Sequence, residues 1–393
     1  MSAGSMFDVV VVGGGPAGAT AATELARAGR SVLLLDRAGR IKPCGGAIPP
    51  ALLREFDIPL ELLVARATSA RMVAPSAKSV DMPVGDGFVG MVNRDEFDEW
   101  LRQRATAAGA ERRTGAFQKL ERQPDGTVLV RFHCRDAGDQ AVRARAVVGA
   151  DGANSKVGRQ CIPGAADMPF VAAYHEIVRS PPAAGFDGSR CDVYYQGQVS
   201  PDFYGWIFPH GETTSVGVGS AQKGFSQRHA VSLLRESAGL GGCETVRREG
   251  APIPMEPLRR WDDGHNVVVA GDAAGVVAPA SGEGIYYAMA SARFVADAVD
   301  RFLATGNASA LKGARREFMR NHGKVFWVLG IMQRFWYSSD KRRERFVSIC
   351  EDRDVQQLTW DAYMNKRLQR RKPLAHVRIF FKDLGHLLGI VPP

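Results

Sequence analysis

Short apolar runs separated by glycine-rich punctuation dominate the chain. Val9 to Val12 is an unbroken β-branched run, and Ser31 to Leu35 forms a second, closed by Asp36. Runs this short and this apolar, bounded by turn residues, predict buried strands. Between them the pattern predicts a helix that opens after Gly13-x-Gly15-x-x-Gly18 and ends near Gly29. Ala146 to Ala150 and Asn266 to Gly271 predict two more short strands, and an apolar helix is predicted after Gly284 through about Phe302. In Tyr204 to Pro209 (YGWIFP) a period of two puts Tyr204, Trp206 and Phe208 on one face of a strand. Residues 76–89 and 166–257 hold short β-like runs with Gly/Pro turns, suiting an antiparallel sheet. Beyond about residue 310 the pattern is mostly helical.

Three of these runs end in glycine and aspartate. In the first, Gly13 permits a tight turn, Gly15 lets backbone approach a pyrophosphate, and Gly18 lets helix pack on strand. The helix start supplies unpaired N–H groups and a positive dipole end for phosphate. Asp36 stands where a carboxylate accepts hydrogen bonds from a ribose. Alone, this βαβ suits NAD or FAD. The second motif, VVGADGANSKVGR, carries Asp151 and Gly152; the third, VVVAGDAAGVVAPASGEGI, carries Gly271, Asp272, Pro279, Gly282, Gly284 and Ile285. An aspartate leaving a strand serves equally as a helix cap, so either motif alone stays open. A chain that returns twice to one nucleotide reads as a flavoprotein. The expected fold is therefore α/β: a discontinuous Rossmann-type FAD-binding domain (1–75, 90–165 and 258–310), an antiparallel-sheet substrate domain (76–89 and 166–257) and a helical C-terminal region (311–393).

The three motifs resemble the flavoprotein fold of p-hydroxybenzoate hydroxylase relatives. KPCGGAIP at 42–49 and YGWIFPHGETTSVGVG at 204–219 resemble the cysteine motif and substrate signature of geranylgeranyl reductases. The stretches IKPCGGAIPP, CDVYYQG, SPDFYGWIFPHGETTSVG, APASGEGIYYAM and AYMNKRLQRRKP look most like family members that saturate the geranylgeranyl tail of bacteriochlorophyll or chlorophyll. The resemblance implies an NADPH- and FAD-dependent reduction of alkene bonds, with a polyprenyl diphosphate or pigment ester as substrate. It implies cofactor contacts at Gly13, Gly15, Ala17, Gly18, Asp36, Arg37, Cys44, Gly45, Arg94, Asp151, Gly152, Gly271, Asp272, Gly282, Gly284 and Ile285. A substrate channel would be lined by Tyr204, Trp206, Phe208, Pro209, Gly217 and Gly219, with Cys44 the candidate catalytic residue. The bland alternatives are a sheet packing on its own aromatic core and a small buried thiol. Two rival functions share the fold: an aromatic hydroxylase or halogenase, and a non-catalytic prenyl-binding escort.

Other ionisable residues carry less. His175-Glu176 lie adjacent on a strand and point to opposite faces, which disfavours a shared metal. His210 follows the aromatic strand, as pocket residue or turn histidine, and Glu283 suits a helix cap. Six cysteines with no CxxC spacing indicate free thiols in a reducing compartment and no metal site.

Charge adds one feature. Residues 311–393 hold 18 Lys+Arg against 8 Asp+Glu, so the chain's formal +9 belongs to this region. Its basic clusters, Lys341-Arg342-Arg343 and Arg370-Arg371-Lys372, alternate with Phe326-Trp327, Phe335-Trp336-Tyr337 and Phe380-Phe381. No nucleic-acid recognition fold accompanies them, so the expected partner is the cytoplasmic surface of a membrane; a solvated helical cap is the alternative. The opening residues lack signal-peptide character, and no apolar run reaches membrane-spanning length.

Overall fold

The computed structural model describes residues 6–366 apart from 38, 40, 183 and 184. The basic cluster Arg370-Arg371-Lys372, Phe380-Phe381 and the interfacial stretch 377–390 lie outside the described residues. The chain divides into two compact units, both discontinuous. The first comprises the described parts of Met1–Lys42, Arg94–Phe170 and Pro252–Phe326; the second, those of Pro43–Asn93, Val171–Ala251 and Trp327–Pro393. Residues 43–75 thus group with the second unit, whereas the sequence pattern suggested the first. The reason is strand pairing: Ser69–Val73 is bonded to Arg190–Tyr194 on one side and Ser79–Pro83 on the other.

The first unit is built on a seven-stranded sheet. Its order is Glu111–Thr114, Val32–Asp36, Met6–Val12, Gly138–Gly149, Val128–Cys134 and Ala116–Arg122, with Val267–Val269 paired to the end of Gly138–Gly149. The three motif-bearing strands run parallel and adjacent. Their register pairs Val12 with Gly149, and Gly149 with Val269, so all three finish abreast. Helices Pro16–Arg27 and Ile285–Thr305 pack on one another. The long one ends on Gly306 at φ +70°, a left-handed cap that glycine adopts without a Cβ penalty. Phe7, Val10, Leu33, Phe132 and Val147 are among the residues of the core beneath the sheet.

The second unit is centred on another seven-stranded sheet: Thr245–Pro254, Phe170–Arg179, Thr213–Ser220, Gly205–His210, Arg190–Tyr194, Ser69–Val73 and Ser79–Pro83. It is antiparallel through its centre. Arg190–Tyr194 runs parallel to Ser69–Val73, a departure from the purely antiparallel expectation. One face is closed by helix Gln227–Ser237, which buries Ala230, Val231 and Leu234 against Ile207, Val216 and Val218. Burying such aliphatic side chains stabilises the unit by roughly 1.5–3 kcal/mol each.

Candidate functional site: a glycine corner and an aromatic face

Because the three motif strands end together, their loops meet. Gly13, at φ +107°, passes so close to the next strand that a Cβ would stand 2.3 Å from the Ala150 carbonyl. A Cβ on Gly18 would stand 1.8 Å from the Gly13 carbonyl, so helix and strand pack at backbone distance. A Cβ on Gly271 would stand 2.7 Å from Cβ of Ala17, which joins the third motif to the first. Gly15 differs: nothing lies within 4 Å of where its Cβ would be. It is also the N-cap of Pro16–Arg27 and offers that helix no side-chain hydrogen bond. The corner therefore combines open space with an uncapped helix start, the combination an anionic pyrophosphate requires. These residues fit a bound dinucleotide.

The carboxylates of the corner have distinct tasks. Asp36 lies against Gly14, whose Cβ would come 2.7 Å from the Asp36 carboxylate. Asp151 accepts from the Ser155 hydroxyl and from the backbone N–H groups of Lys156 at 2.7 Å and Val157 at 3.3 Å. It holds the start of helix Lys156–Cys161, which is the capping role weighed above, and burial keeps its carboxyl above the ordinary value. Gly152 turns at φ +86° with open space where a Cβ would be. Asp272 is buried and paired with Lys42. Glu283 accepts from Tyr286 N–H at 3.1 Å and so caps the Ile285–Thr305 helix. Gly282 turns at φ +63°, and Gly284 is that helix's N-cap, just before Ile285.

Arg94 is no solvated helix start. It is buried and makes a two-pronged bond to Asp98 at 2.8 and 2.7 Å. Arg37 is exposed beside Asp36. Two residues of the corner escaped the motif reading. Lys42 reaches Asp272 from 230 positions away. Arg102 donates to the Gly14 carbonyl at 3.2 Å and stands 3.5 Å from Asp36; Glu99 and Arg112 brace it from behind. Hydrogen bonding from Arg112 above all pulls the Glu99 carboxyl down to about 2. Lys42 opens the KPCGGAIP stretch but figures there only as the flank of Cys44, and Arg102 lies on the Arg94–Ala107 helix outside the motifs.

In the second unit the aromatic row is present as expected. The strand proper is Gly205–His210, with Tyr204 just before it. Ring centroids of Tyr204 and Trp206 are 6.2 Å apart, and those of Trp206 and Phe208 6.3 Å. Gly217 and Gly219 on the neighbouring strand make the row possible. A Cβ at Gly217 would stand 2.2 Å from the Trp206 indole, and one at Gly219 2.7 Å from the Phe203 ring. Glycine is needed here for volume, since neither position has a left-handed φ. Pro209 is buried in the same strand.

The cysteine loop lies on this row. A Cβ on Gly45 would meet the Phe208 ring at 3.1 Å; one on Gly46 would meet Nε2 of His210 at 2.5 Å. Gly46 N–H donates to Sγ of Cys44 at 3.4 Å, and Cys44 is half-buried. The structure therefore groups Cys44 and Gly45 with the aromatic row, in a different unit from the glycine corner. His210 ends the strand and is buried, so it is not a turn residue. Its Nδ1 donates to the Phe208 carbonyl at 3.0 Å, and burial pushes its pKa down to about 4. His175 and Glu176 do point apart: His175 contacts Ser215 and Glu249, whereas Glu176 binds Arg235, Tyr174 and Arg248. All six cysteines are free, and among the described residues no cluster suits a metal ion.

Beyond residue 311 the described chain forms helices Lys312–Trp336, Asp340–Ile349 and Arg353–Asn365. Burial divides the aromatic and basic residues named above. Phe326, Trp336 and Tyr337 are buried, and so is Arg343, which pairs with Asp340 and donates to the Pro201 and Tyr337 carbonyls. Trp327 and Ile331 are exposed. No helix among the described residues is long and apolar enough to cross a membrane.

A nucleotide-type parallel sheet and an aromatic-faced antiparallel sheet on one chain define the fold of flavin-dependent oxidoreductases. It is shared by a geranylgeranyl bacteriochlorophyll reductase-like protein of Thermoplasma acidophilum (TM-score 0.82, 22% identity, 94% of this chain and 99% of that one) and by a flavin-dependent brominase (TM-score 0.73, 16% identity, 96% and 99%). The family model for lycopene cyclase protein matches residues 8–180 and 223–382. A geranylgeranyl diphosphate reductase of Rhodobacter capsulatus is 56% identical over 98% of this chain and 99% of its own. The chain belongs to the geranylgeranyl diphosphate reductase family and is an oxidoreductase.

Proposed function

We propose that the protein reduces the geranylgeranyl chain of a bacteriochlorophyll-type pigment or of geranylgeranyl diphosphate to phytyl, using NADPH and FAD. The observation that carries this is the convergence of three separated motifs on one uncapped helix start, on a chain that also presents a row of aromatic rings. Bound FAD, reduced by NADPH, would supply the hydride to one carbon of each alkene, with a proton drawn ultimately from solvent added to the other. Gly13, Gly15, Ala17 and Gly18 would bind its pyrophosphate, Asp36 and Arg37 its ribose, and Gly271, Asp272, Gly282, Gly284 and Ile285 the remainder. Asp151, through its hold on the following helix, would keep Gly152 in place, and Arg94 and Asp98 would brace the same region. The row Tyr204, Trp206, Phe208 and Pro209 would align an apolar chain and exclude water. Cys44 and Gly45 would narrow that row beside the substrate.

The decisive measurement is mass spectrometry of products from both substrates with NADPH and FAD under anaerobic conditions. Saturated products are expected. Turnover that requires oxygen would instead favour the hydroxylase or halogenase chemistry of this fold, and a protein that takes up no flavin would favour the escort. Cys44→Ala should keep FAD and NADPH oxidation but lose most alkene reduction; unchanged product formation would make Cys44 a packing residue.

We further propose that the C-terminal region holds the enzyme on an anionic membrane surface. The support is its concentrated positive charge with Trp327 and Ile331 exposed. Each Lys or Arg near such a surface contributes about 1 kcal/mol, screened by salt. Cosedimentation with anionic vesicles should be strong at low salt and weaken when Arg370, Arg371 and Lys372 are changed to Glu. Protein that stays in the supernatant at low salt would end this reading.

A further inference from the structure

Beside the aromatic row lies a chain of buried polar groups that runs from the 204–219 stretch, which holds Trp206 and Ser215, to His175 and Glu249 outside it. The Trp206 indole N–H donates to Oγ of Ser215 at 3.1 Å. Ser215 Oγ is 3.0 Å from Nδ1 of His175. Nε2 of His175 stands 3.2 Å from the Glu249 carboxylate, off the axis of a well-aligned hydrogen bond. Glu249 is in turn paired with Arg247. His175 is 2% exposed and Ser215 fully buried.

The donors and acceptors admit a consistent direction. An indole nitrogen can only donate, so Ser215 accepts from Trp206 and has its own hydrogen for Nδ1 of His175. A neutral imidazole that accepts at Nδ1 carries its proton on Nε2, which faces the Glu249 carboxylate. Each group then orients the next, and the sequence terminates on a carboxylate that Arg247 holds. Gly217 leaves space where a Cβ would otherwise press on the indole; the ring lies over that position among Tyr204, Phe208 and His175, whose ring centroid is 6.1 Å away, and its N–H is directed at Ser215.

We propose that His175, anchored by Glu249 and acting through Ser215, is a positioning residue for the Trp206 indole. It thereby sets which stretch of a long apolar hydrocarbon chain the aromatic row accepts. This rests on the proposed function for its substrate class, but not for the network itself. A misplaced ring leaves a flexible chain free to bind in several registers, and misalignment of about an ångström at a reacting bond lowers turnover by up to about a hundredfold.

The test has a spectroscopic arm and a product arm, both on the full chain with FAD bound. Protein labelled with ¹⁵N-tryptophan gives indole N–H signals, and Trp206→Phe identifies the one from Trp206. In Ser215→Ala and His175→Leu that signal should shift and its hydrogen exchange should accelerate; in His175→Gln, whose amide can both accept and donate, it should stay near wild type. In the product arm, geranylgeranyl diphosphate turned over by His175→Leu should yield a larger share of partially reduced chains and turn over roughly tenfold or more slower. Flavin reduction by NADPH should be unchanged, and Gln should restore the wild-type product pattern. An indole signal that does not move in either Ser215→Ala or His175→Leu overturns the network. A signal that moves with no change in product pattern or turnover overturns the positioning role. Wild-type enzyme that reduces no prenyl chain refutes the functional reading and with it the product arm, while the indole arm still judges the network.

Discussion

Glycines do opposite work in the two units. In the first, Gly13 and Gly18 let backbone touch backbone: the contacts a Cβ would violate are to the Ala150 and Gly13 carbonyls. In the second, Gly217 and Gly219 lie in an ordinary extended strand and leave room for the rings of Trp206 and Phe203. The glycine corner is thus specified by main-chain geometry, whereas the aromatic face is specified by side-chain volume. Carbonyl groups cannot move aside without breaking the strand. Rings can rotate or be replaced by smaller ones. The corner should therefore tolerate almost no change at its closest contacts, and the face should tolerate compensated changes.

The largest effect is expected at Gly18. Gly18→Val forces a side chain into the Gly13 carbonyl and should cost upward of about 4 kcal/mol, leaving little folded, flavin-containing protein. Thermal unfolding and flavin content check this; a stable Gly18→Val would break the contrast. Trp206→Ala comes next, at about 3–5 kcal/mol for a truncated core aromatic. At equal folded fraction it should lower turnover of long prenyl substrates more than flavin reduction. If both fall together, the face is core and not a substrate wall.

His210 sharpens the comparison through pH. Its folded pKa of about 4 lies below the ordinary 6.5, so the folded protein binds fewer protons than the unfolded chain between those values. The stability it contributes is full above pH 6.5 and is lost as pH falls through 4, on the order of 3 kcal/mol for a buried group. Urea midpoints at pH 7 and 4.5 should converge in His210→Asn relative to wild type. An identical acid loss in the variant would show that other groups carry it. The smallest change in stability is expected at Gly15, whose φ of −76° and open surroundings suit alanine. Gly15→Ala should alter stability by less than about 1 kcal/mol while weakening FAD binding about tenfold. Equal weakening of fold and flavin binding would place Gly15 with Gly18.

How legible the site was follows from these same causes. The glycine corner could be read almost residue by residue, because main-chain requirements are met within short stretches: Gly13, Gly15 and Gly18 in six residues, and Asp36 one strand later. Asp151 was readable only as two alternatives, since capping and cofactor contact ask for the same residue in the same place. Its bonds to Ser155, Lys156 and Val157 show the capping role. Lys42 and Ser215 lay inside motifs without a role of their own, and Arg102 and Glu249 carried no signal, because a polar residue takes its meaning from partners that only the fold brings to it.

The sequence by itself determined the class of the fold, the order of its motifs, the aromatic alternation of Tyr204, Trp206 and Phe208, and the glycines Gly13, Gly15 and Gly18 of the first turn. These depend on local dihedrals and on the periods of strand and helix, which any short window contains. Only the tertiary structure decided that residues 43–75 join the second unit, that Gly217 makes room for an indole, that Arg343 and Tyr337 are buried while Trp327 is exposed, and that His175 stands beside Trp206. Those outcomes depend on which strands become neighbours and in what register. A one-residue slip between Gly205–His210 and Thr213–Ser220 would turn Gly217 and Ser215 to the opposite face, and the indole would lose both the space it occupies and its hydrogen-bond acceptor.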